Sequence, residues 1–390
     1  MALAAMQSVD MQGTMAPKLA VQKLTLSNFR NYVSARLDVD QGPVLLTGEN
    51  GAGKTNLLEA VSMLAPGRGL RTAKTREMDR AGGDSPWAVS ATVMSTMGEV
   101  SLGSGREPEG ERRLVRINGA NARSQAALGE YVNVVWLTPQ MDGLFQEGAS
   151  ARRRFLDRLI YGFDSAHAGR LNAYDKTLRE RSRLLKEGRA DAAWLDALET
   201  QMVERGIAIV AARKTMAERL NLVCRKADGP FPGAGVAVTG SLEDWLGRMP
   251  ALQTEDRFKQ ALQENRRRDA ETGGAAHGPH RSDLEVTHLG KGMQASLCST
   301  GEQKALLISI VLAHAKLQAA ELGTAPILLL DEVAAHLDAD RRAALFEILL
   351  GLNSQSWLTG TEPGVFEGLL DRAQLFRVAN ATIERIDNNN

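Results

Sequence analysis

Lys54 and Thr55 end the run Gly48-Glu49-Asn50-Gly51-Ala52-Gly53-Lys54-Thr55, which satisfies the pattern G-x-x-x-x-G-K-[ST] at every fixed position. Glycines in such a run let successive backbone N–H groups turn inward around a phosphate, and a helix start beyond them adds partial positive charge. Lys54 then reaches the β and γ oxygens, and the Thr55 hydroxyl can ligate Mg²⁺. A second group lies far along the chain. Ile327-Leu328-Leu329-Leu330 is an apolar strand ending in Asp331-Glu332. Asp331 at the strand tip can hold the ion that Thr55 also binds, and Glu332 is placed to accept a proton from an attacking water. A third group, Ser299-Thr300-Gly301-Glu302-Gln303-Lys304, precedes the apolar stretch Ala305 to Ala313. Ser299 with Glu302 forms a capping box that starts a helix, and on spacing alone that is all it is.

The flanking sequence supplies what these groups need. Val44-Leu45-Leu46 reads as a buried parallel strand before the loop, and Asn56 to Met63 as a helix after it. Gln22–Ser27 and Ala35–Val39 read as strands joined by the turn Asn28 to Tyr32. Trp87–Val93 and Leu114–Ile117 read as strands around a polar hairpin from Gly98 to Glu111, and Val132–Leu137 as a buried strand. From Ala151 the chain turns charged and helical, with a break at Asp228-Gly229-Pro230, a weak strand Val236–Thr239 and a helix Asp256–Arg268. Strand and helix patterns resume at Gly278 and end with a strand Gln374–Val378. The organisation expected is therefore a disordered extension (1–18), the first part of an α/β head (19–150), a helical lobe (151–269) and the rest of the head (270–386). The Lys54 and Asp331 halves must share one sheet across the lobe.

Lys+Arg and Asp+Glu both number 47, so the whole chain makes no electrostatic demand for an anionic partner, and nucleic-acid binding must come from local patches. Two cysteines, Cys224 and Cys298, argue against a disulfide framework and fit a reducing cytoplasm. No run is expected to reach the roughly 18–20 apolar residues that span a bilayer. The charge runs Arg152-Arg153-Arg154 and Arg266-Arg267-Arg268 are either solvated helix faces or contacts to DNA phosphates.

A phosphate loop, then a Ser-x-Gly cap, then Leu-Asp-Glu resembles the arrangement of ATP-binding-cassette ATPases. The resemblance narrows to the RecF family, relatives of SMC heads. It rests on Leu26-Ser27-Asn28-Phe29-Arg30-Asn31-Tyr32, Gly51-Ala52-Gly53-Lys54-Thr55-Asn56, Arg152-Arg153-Arg154-Phe155-Leu156-Asp157, Gly278-Pro279-His280-Arg281-Ser282-Asp283, Ser299 to Lys304, and Thr359-Gly360-Thr361. These segments stand in the family order between Leu19 and Val378.

The resemblance implies a P-loop cassette-type ATPase head of mixed sheets and helices, with a compact helix-rich inserted lobe where SMC proteins carry long coiled coils. It implies ATP and Mg²⁺, weak hydrolysis to ADP and phosphate in a head-to-head homodimer, and binding of duplex DNA near single-strand gaps without sequence preference. RecR and RecO are the implied partners, with recombinase loading in gap repair and fork recovery as the outcome. By position, Gly48 to Thr55 with Asn56 match the Walker A segment, and Asp331 and Glu332 the Walker B pair. Ser299, Gly301 and Glu302 match the signature, which would bind the γ-phosphate held by a second subunit. Asp338 falls in the D-loop at the seam, Gln140 in the Q-loop, and Thr359 to Thr361 at the switch, where a threonine hydroxyl replaces the histidine of many cassettes. Arg30 and Asn31 match contacts near the nucleotide, with a plain surface turn as the alternative. Two other roles stay open: an SMC-like structural ATPase, and the ATPase subunit of a membrane transporter.

Overall fold

A computed structural model describes residues 18–188, 191–227, 229–352 and 354–386. Most of the extension expected at 1–18 and the tail 387–390 lie outside the described residues. At the centre is a six-stranded sheet in the order Thr382–Ile386, Gln374–Ala379, Val44–Thr47, Ser356–Gly360, Ile327–Leu330, Val134–Leu137. All its pairs are parallel except that between the Thr382–Ile386 and Gln374–Ala379 strands. The two halves of the sequence thus meet in one sheet, as the motif order required.

Strands buried on both faces lose the in–out alternation of polarity but keep the alternation of direction. Val44 and Leu46 enter one core with Val134, Ile327 and Trp357. Leu45 enters the opposite core with Val135, Leu328 and Leu358. The first core is closed by the helix Lys54–Ser62 and by an antiparallel sheet. That sheet runs Tyr32–Asp38, Ala20–Phe29, Ala88–Ser95, Gly98–Arg106, Arg113–Ile117, Ala120–Asn121. Buried Gln355 ties the two sheets, donating to the carbonyls of Val21 and Asp40 at 2.8 Å each and accepting from Val21 N at 2.9 Å. The second core is closed by the helix Thr300–Leu322, buried nearly all round.

Three expectations need correction. The stretch Gly98–Arg106, expected as part of a polar hairpin, is a strand with a buried face: Val100, Leu102 and Ser104 point inward, and the intervening glycines hid that alternation. A further strand, Thr382–Ile386, follows the one expected to be last. The helix Thr300–Leu322 does reach membrane-spanning length and hydropathy, but 72% of its apolar window is buried inside the protein. It is a core helix. The expected weak strand is present as Ala234–Thr239 and pairs antiparallel with Asp283–His288, so the chain before and after residue 269 shares a small sheet.

The helical stretch itself is compact. Helices Ala149–Tyr161, His167–Glu187 and Ala192–Cys224 lead into Ser241–Arg248, Ala251–Glu264 and Arg266–Thr272. Tyr174, Met202, Ile209 and Phe258 form a core of their own. Arg181, fully buried, binds Glu199 at 2.9 Å, Asp269 at 2.7 Å and the Leu262 carbonyl at 2.7 Å.

Candidate nucleotide site

The loop 48–53 lies between two fixed walls. A Cβ on Gly48 would sit 2.1 Å from the Val378 carbonyl oxygen, and one on Gly53 would sit 2.6 Å from both Asn31 Nδ2 and Tyr32 Oη. Both glycines have positive φ, 147° and 118°, so side chains are refused on steric and conformational grounds together. Asn31 donates to the Ala52 carbonyl (3.2 Å) and Tyr32 to that of Gly53 (3.2 Å), which holds the loop from behind. Lys54 folds over it, with Nζ 2.6 Å from the Gly48 carbonyl and 2.9 Å from that of Glu49. Burial lowers the Lys54 pKa, and the Glu332 and Asp331 charges act against that shift. A cavity of 840 Å³ opens beside the loop, with Asn31 on one side and Arg377 and Asn380 on the other.

The sheet brings the second group to the same place. Thr55 donates to Asp331 at 3.0 and 3.1 Å, and Thr359 to Asp331 at 2.7 Å. Burial raises the Asp331 pKa, hydrogen bonds from Thr359 and Thr55 oppose it, and the Glu332 charge raises it further. No cation stands within salt-bridge distance of Asp331 among the described residues. A hydroxyl and a carboxylate are hard oxygen donors of the kind Mg²⁺ takes, and a cation between them would relieve the buried charge. The residues therefore fit the ion. Glu332 adopts φ 54°, a left-handed conformation costing a non-glycine residue about 1–3 kcal/mol. Its N–H is held by Thr359 Oγ1 at 2.9 Å. Thr359 thus fixes both carboxylate residues, one through its proton and the other through its oxygen.

Arg30 does not line the cavity. Its guanidinium grips buried Glu59 at 2.8 and 2.7 Å and the Glu77 carbonyl at 2.6 Å. Arg71 reaches the same Glu59 at 2.7 Å and Asn56 at 2.7 Å, and Asn56 donates to Asn31 at 2.7 Å. Arg30, Asn31 and Asn56 are struts of a network behind the loop helix. Sequence reading missed its hub, Glu59, whose partners lie 29 and 12 residues away. Gln140 is exposed on the turn Pro139–Gly143, beyond the strand that pairs with Ile327–Leu330. That turn is tied to the signature helix by Lys304 and Asp142, 3.3 Å apart.

The signature group stands apart from the loop. Ser299 caps its helix and its N–H donates to Glu302 at 3.0 Å. Lys291 pairs with Glu302, and that hydrogen bond chiefly, with those from Ser299, brings the Glu302 pKa down to about 2. Ser299 and Gly301 are exposed, and no hydrogen bond joins them to residues 48–55 among the described residues. Asp338 caps the helix Ala339–Gly351, accepting from Arg341 N at 2.8 Å.

The basic runs divide. Arg152 is engaged bidentately by Asp283 at 2.8 and 2.7 Å, and Arg153 gives Nη1 to the Ser282 carbonyl at 2.7 Å, while Arg154 is exposed. Arg266 is held by Glu199 and Asp196. Half of these side chains build the fold. Among the described residues Arg154, Arg267 beside Glu271 and Arg268 keep open faces.

The family described as "RecF/RecN/SMC N terminal domain" matches residues 20–384. The DNA replication and repair protein RecF of Mesorhizobium japonicum is 51% identical over 93% of this chain and 97% of its own length. The chain belongs to the RecF family. RecF of Rhizobium meliloti is 48% identical over 95% of this chain and its own full length. Among solved structures, the recombination mediator protein RecF-ATP of the RecFOR pathway shares the fold at TM-score 0.82 and 24% identity, covering 95% of this chain and 100% of that one. An SMC head from Pyrococcus furiosus shares it more distantly, at TM-score 0.54 and 17% identity over 94% and 96% of the two chains. The fold is thus the cassette-type head of RecF and SMC proteins.

Proposed function

We propose that this RecF-family chain is an ATP-dependent DNA-binding recombination mediator that hydrolyses ATP weakly in a head-to-head homodimer. The relatives are DNA replication and repair proteins by name, and a structural neighbour is a RecF-ATP complex. The observation that carries the reading is the separation of an exposed Ser299–Gly301 helix start from a Lys54–Asp331–Glu332 cluster on the same head. An exposed helix N-terminus that no hydrogen bond joins to residues 48–55 among the described residues suits the γ-phosphate held by a second copy.

In this reading residues 48–53 receive the phosphates through backbone N–H groups, and Lys54 exchanges its two carbonyl partners for β and γ oxygens. Thr55 and Asp331 would hold Mg²⁺, which supplies charge neutralisation between the phosphates. Glu332, aimed by Thr359, takes the proton of the attacking water. Gln140 would reach the site from its turn, and Asp338 would meet the partner head. ATP favours the closed dimer because only that state adds the signature contacts. The closed pair would bind duplex DNA near gaps without sequence preference, with Arg154 the remaining candidate of its run, and work with RecR and RecO in the cytoplasm.

The test is retention on gapped duplex DNA with and without ATP. Wild-type protein is expected to be retained only with ATP and Ser299→Ala to lose that dependence. Equal retention without nucleotide would reject the reading.

A further inference from the structure

A second cavity, of 560 Å³, lies where the helices Ala149–Tyr161 and His167–Glu187 meet the turn Pro66–Gly69 of the head. It shares no lining residue with the nucleotide cavity. Arginines line it from every wall: Arg68 from the turn, Arg153, Arg154 and Arg158 from one helix, Arg179 from the next, and Arg213 beneath. Two carboxylates accompany them. Asp157 is consumed by Arg213, with 2.8 Å bonds to both oxygens, and by His167 at 2.9 Å. Asp175 stands one helical turn from Arg179, whose charge acts on it.

Arg153 and Arg158 are held by backbone carbonyls and a ring. Arg158 stacks over Trp136 at 4.1 Å, reaches the Trp136 carbonyl only at 3.4 Å, and keeps a shielded Nε with no partner. Burial brings its pKa down to about 9. Arg153 is lowered by burial first, then by the like charge of Arg213, against the opposing charges of Asp157 and Asp283. Arg68 and Arg154 are exposed and form no ion pair among the described residues. The turn bearing Arg68 is rigid, because buried Arg113 donates to the carbonyls of Met63, Ala65 and Gly67. Like charges gathered around one cavity, with donors unspent, call for an anion from outside the chain.

We propose that this cavity is a second anion site of the protein, taking phosphate oxygens with Arg154 and Arg158 on the helix and Arg68 on the turn as donors. Its volume admits a chain of two or three phosphoryl groups, from a free oligophosphate or from a nucleic-acid backbone. The proposal does not need the DNA reading above.

The test titrates tripolyphosphate calorimetrically into the full chain already saturated with ADP. The wild type is expected to take up one further oligophosphate, and Arg154→Gln with Arg158→Gln to weaken it tenfold or more without changing ADP affinity. Because Arg158 packs on Trp136, the exposed pair Arg68→Gln with Arg154→Gln is the second variant and should show the same loss. Duplex retention then identifies the source. A parallel tenfold fall, with tripolyphosphate competing against DNA, assigns the site to a DNA backbone. Unchanged retention assigns it to a free oligophosphate. No second uptake by the wild type, or wild-type uptake by the exposed pair variant, overturns the proposal.

Discussion

Lys54 donates to the Gly48 and Glu49 carbonyls, which fixes its charge beside the loop that would cradle a triphosphate. Lys54→Ala is expected to weaken ATP binding about 100-fold or more, near 2.8 kcal/mol, read by equilibrium dialysis. Unchanged affinity would reject the loop assignment. Glu332→Gln keeps the left-handed backbone and the Thr359 bond but loses the proton acceptor. It is expected to bind ATP normally and lose turnover by roughly 10²–10⁴-fold. Thr359→Val removes both the proton given to Asp331 and the oxygen that holds Glu332 N, so turnover should fall while ATP affinity stays near wild type. Lys54, Thr55, Asp331 and Glu332 were legible because each belongs to a short local pattern. Glu59 was not, because a lone glutamate in a helix acquires meaning only when the fold delivers Arg30 and Arg71 to it.

The elements repeat the lesson at larger spacing. Continuous apolar runs such as Ile327–Leu330 could be read because burial on both faces leaves no polar position. Gly98–Arg106 could not, since glycine and serine blur a two-residue alternation that the buried Val100 and Leu102 obey. Pairing was illegible too: nothing local in Ala234–Thr239 says that it will join Asp283–His288. The Arg266 run read as a solvated helix face first and a DNA contact second, and three-dimensional pairing with Glu199 gives Arg266 an internal role while Arg267 and Arg268 stay exposed. The Arg181 cluster belongs to this scale. Arg181→Ala leaves Glu199 and Asp269 buried without that cation, and breaking such a buried pair costs about 3–5 kcal/mol. Urea unfolding should show that loss, and a cost below ~1 kcal/mol would mean that the cluster behaves as a surface pair.

For the molecule as a whole, acid is a specific stress. Buried His314 donates from Nε2 to the Leu159 carbonyl at 2.8 Å, and burial holds its pKa down at about 4. Burial does the same for His280, also to about 4. The unfolded chain therefore binds these protons first, and stability must fall as pH drops from the ordinary histidine value of about 6.5 toward 4. A urea midpoint that is flat across that window would contradict the buried neutral state. Beyond stability, the central claim is that one head supplies Lys54, Asp331 and Glu332 while its twin supplies Ser299. The most direct measurement is sedimentation velocity of Glu332→Gln saturated with ATP, with and without the added change Ser299→Arg. The single variant is expected to sediment as a dimer, and the double variant as a monomer that still binds ATP. Monomers in both, or dimers in both, would contradict a shared site.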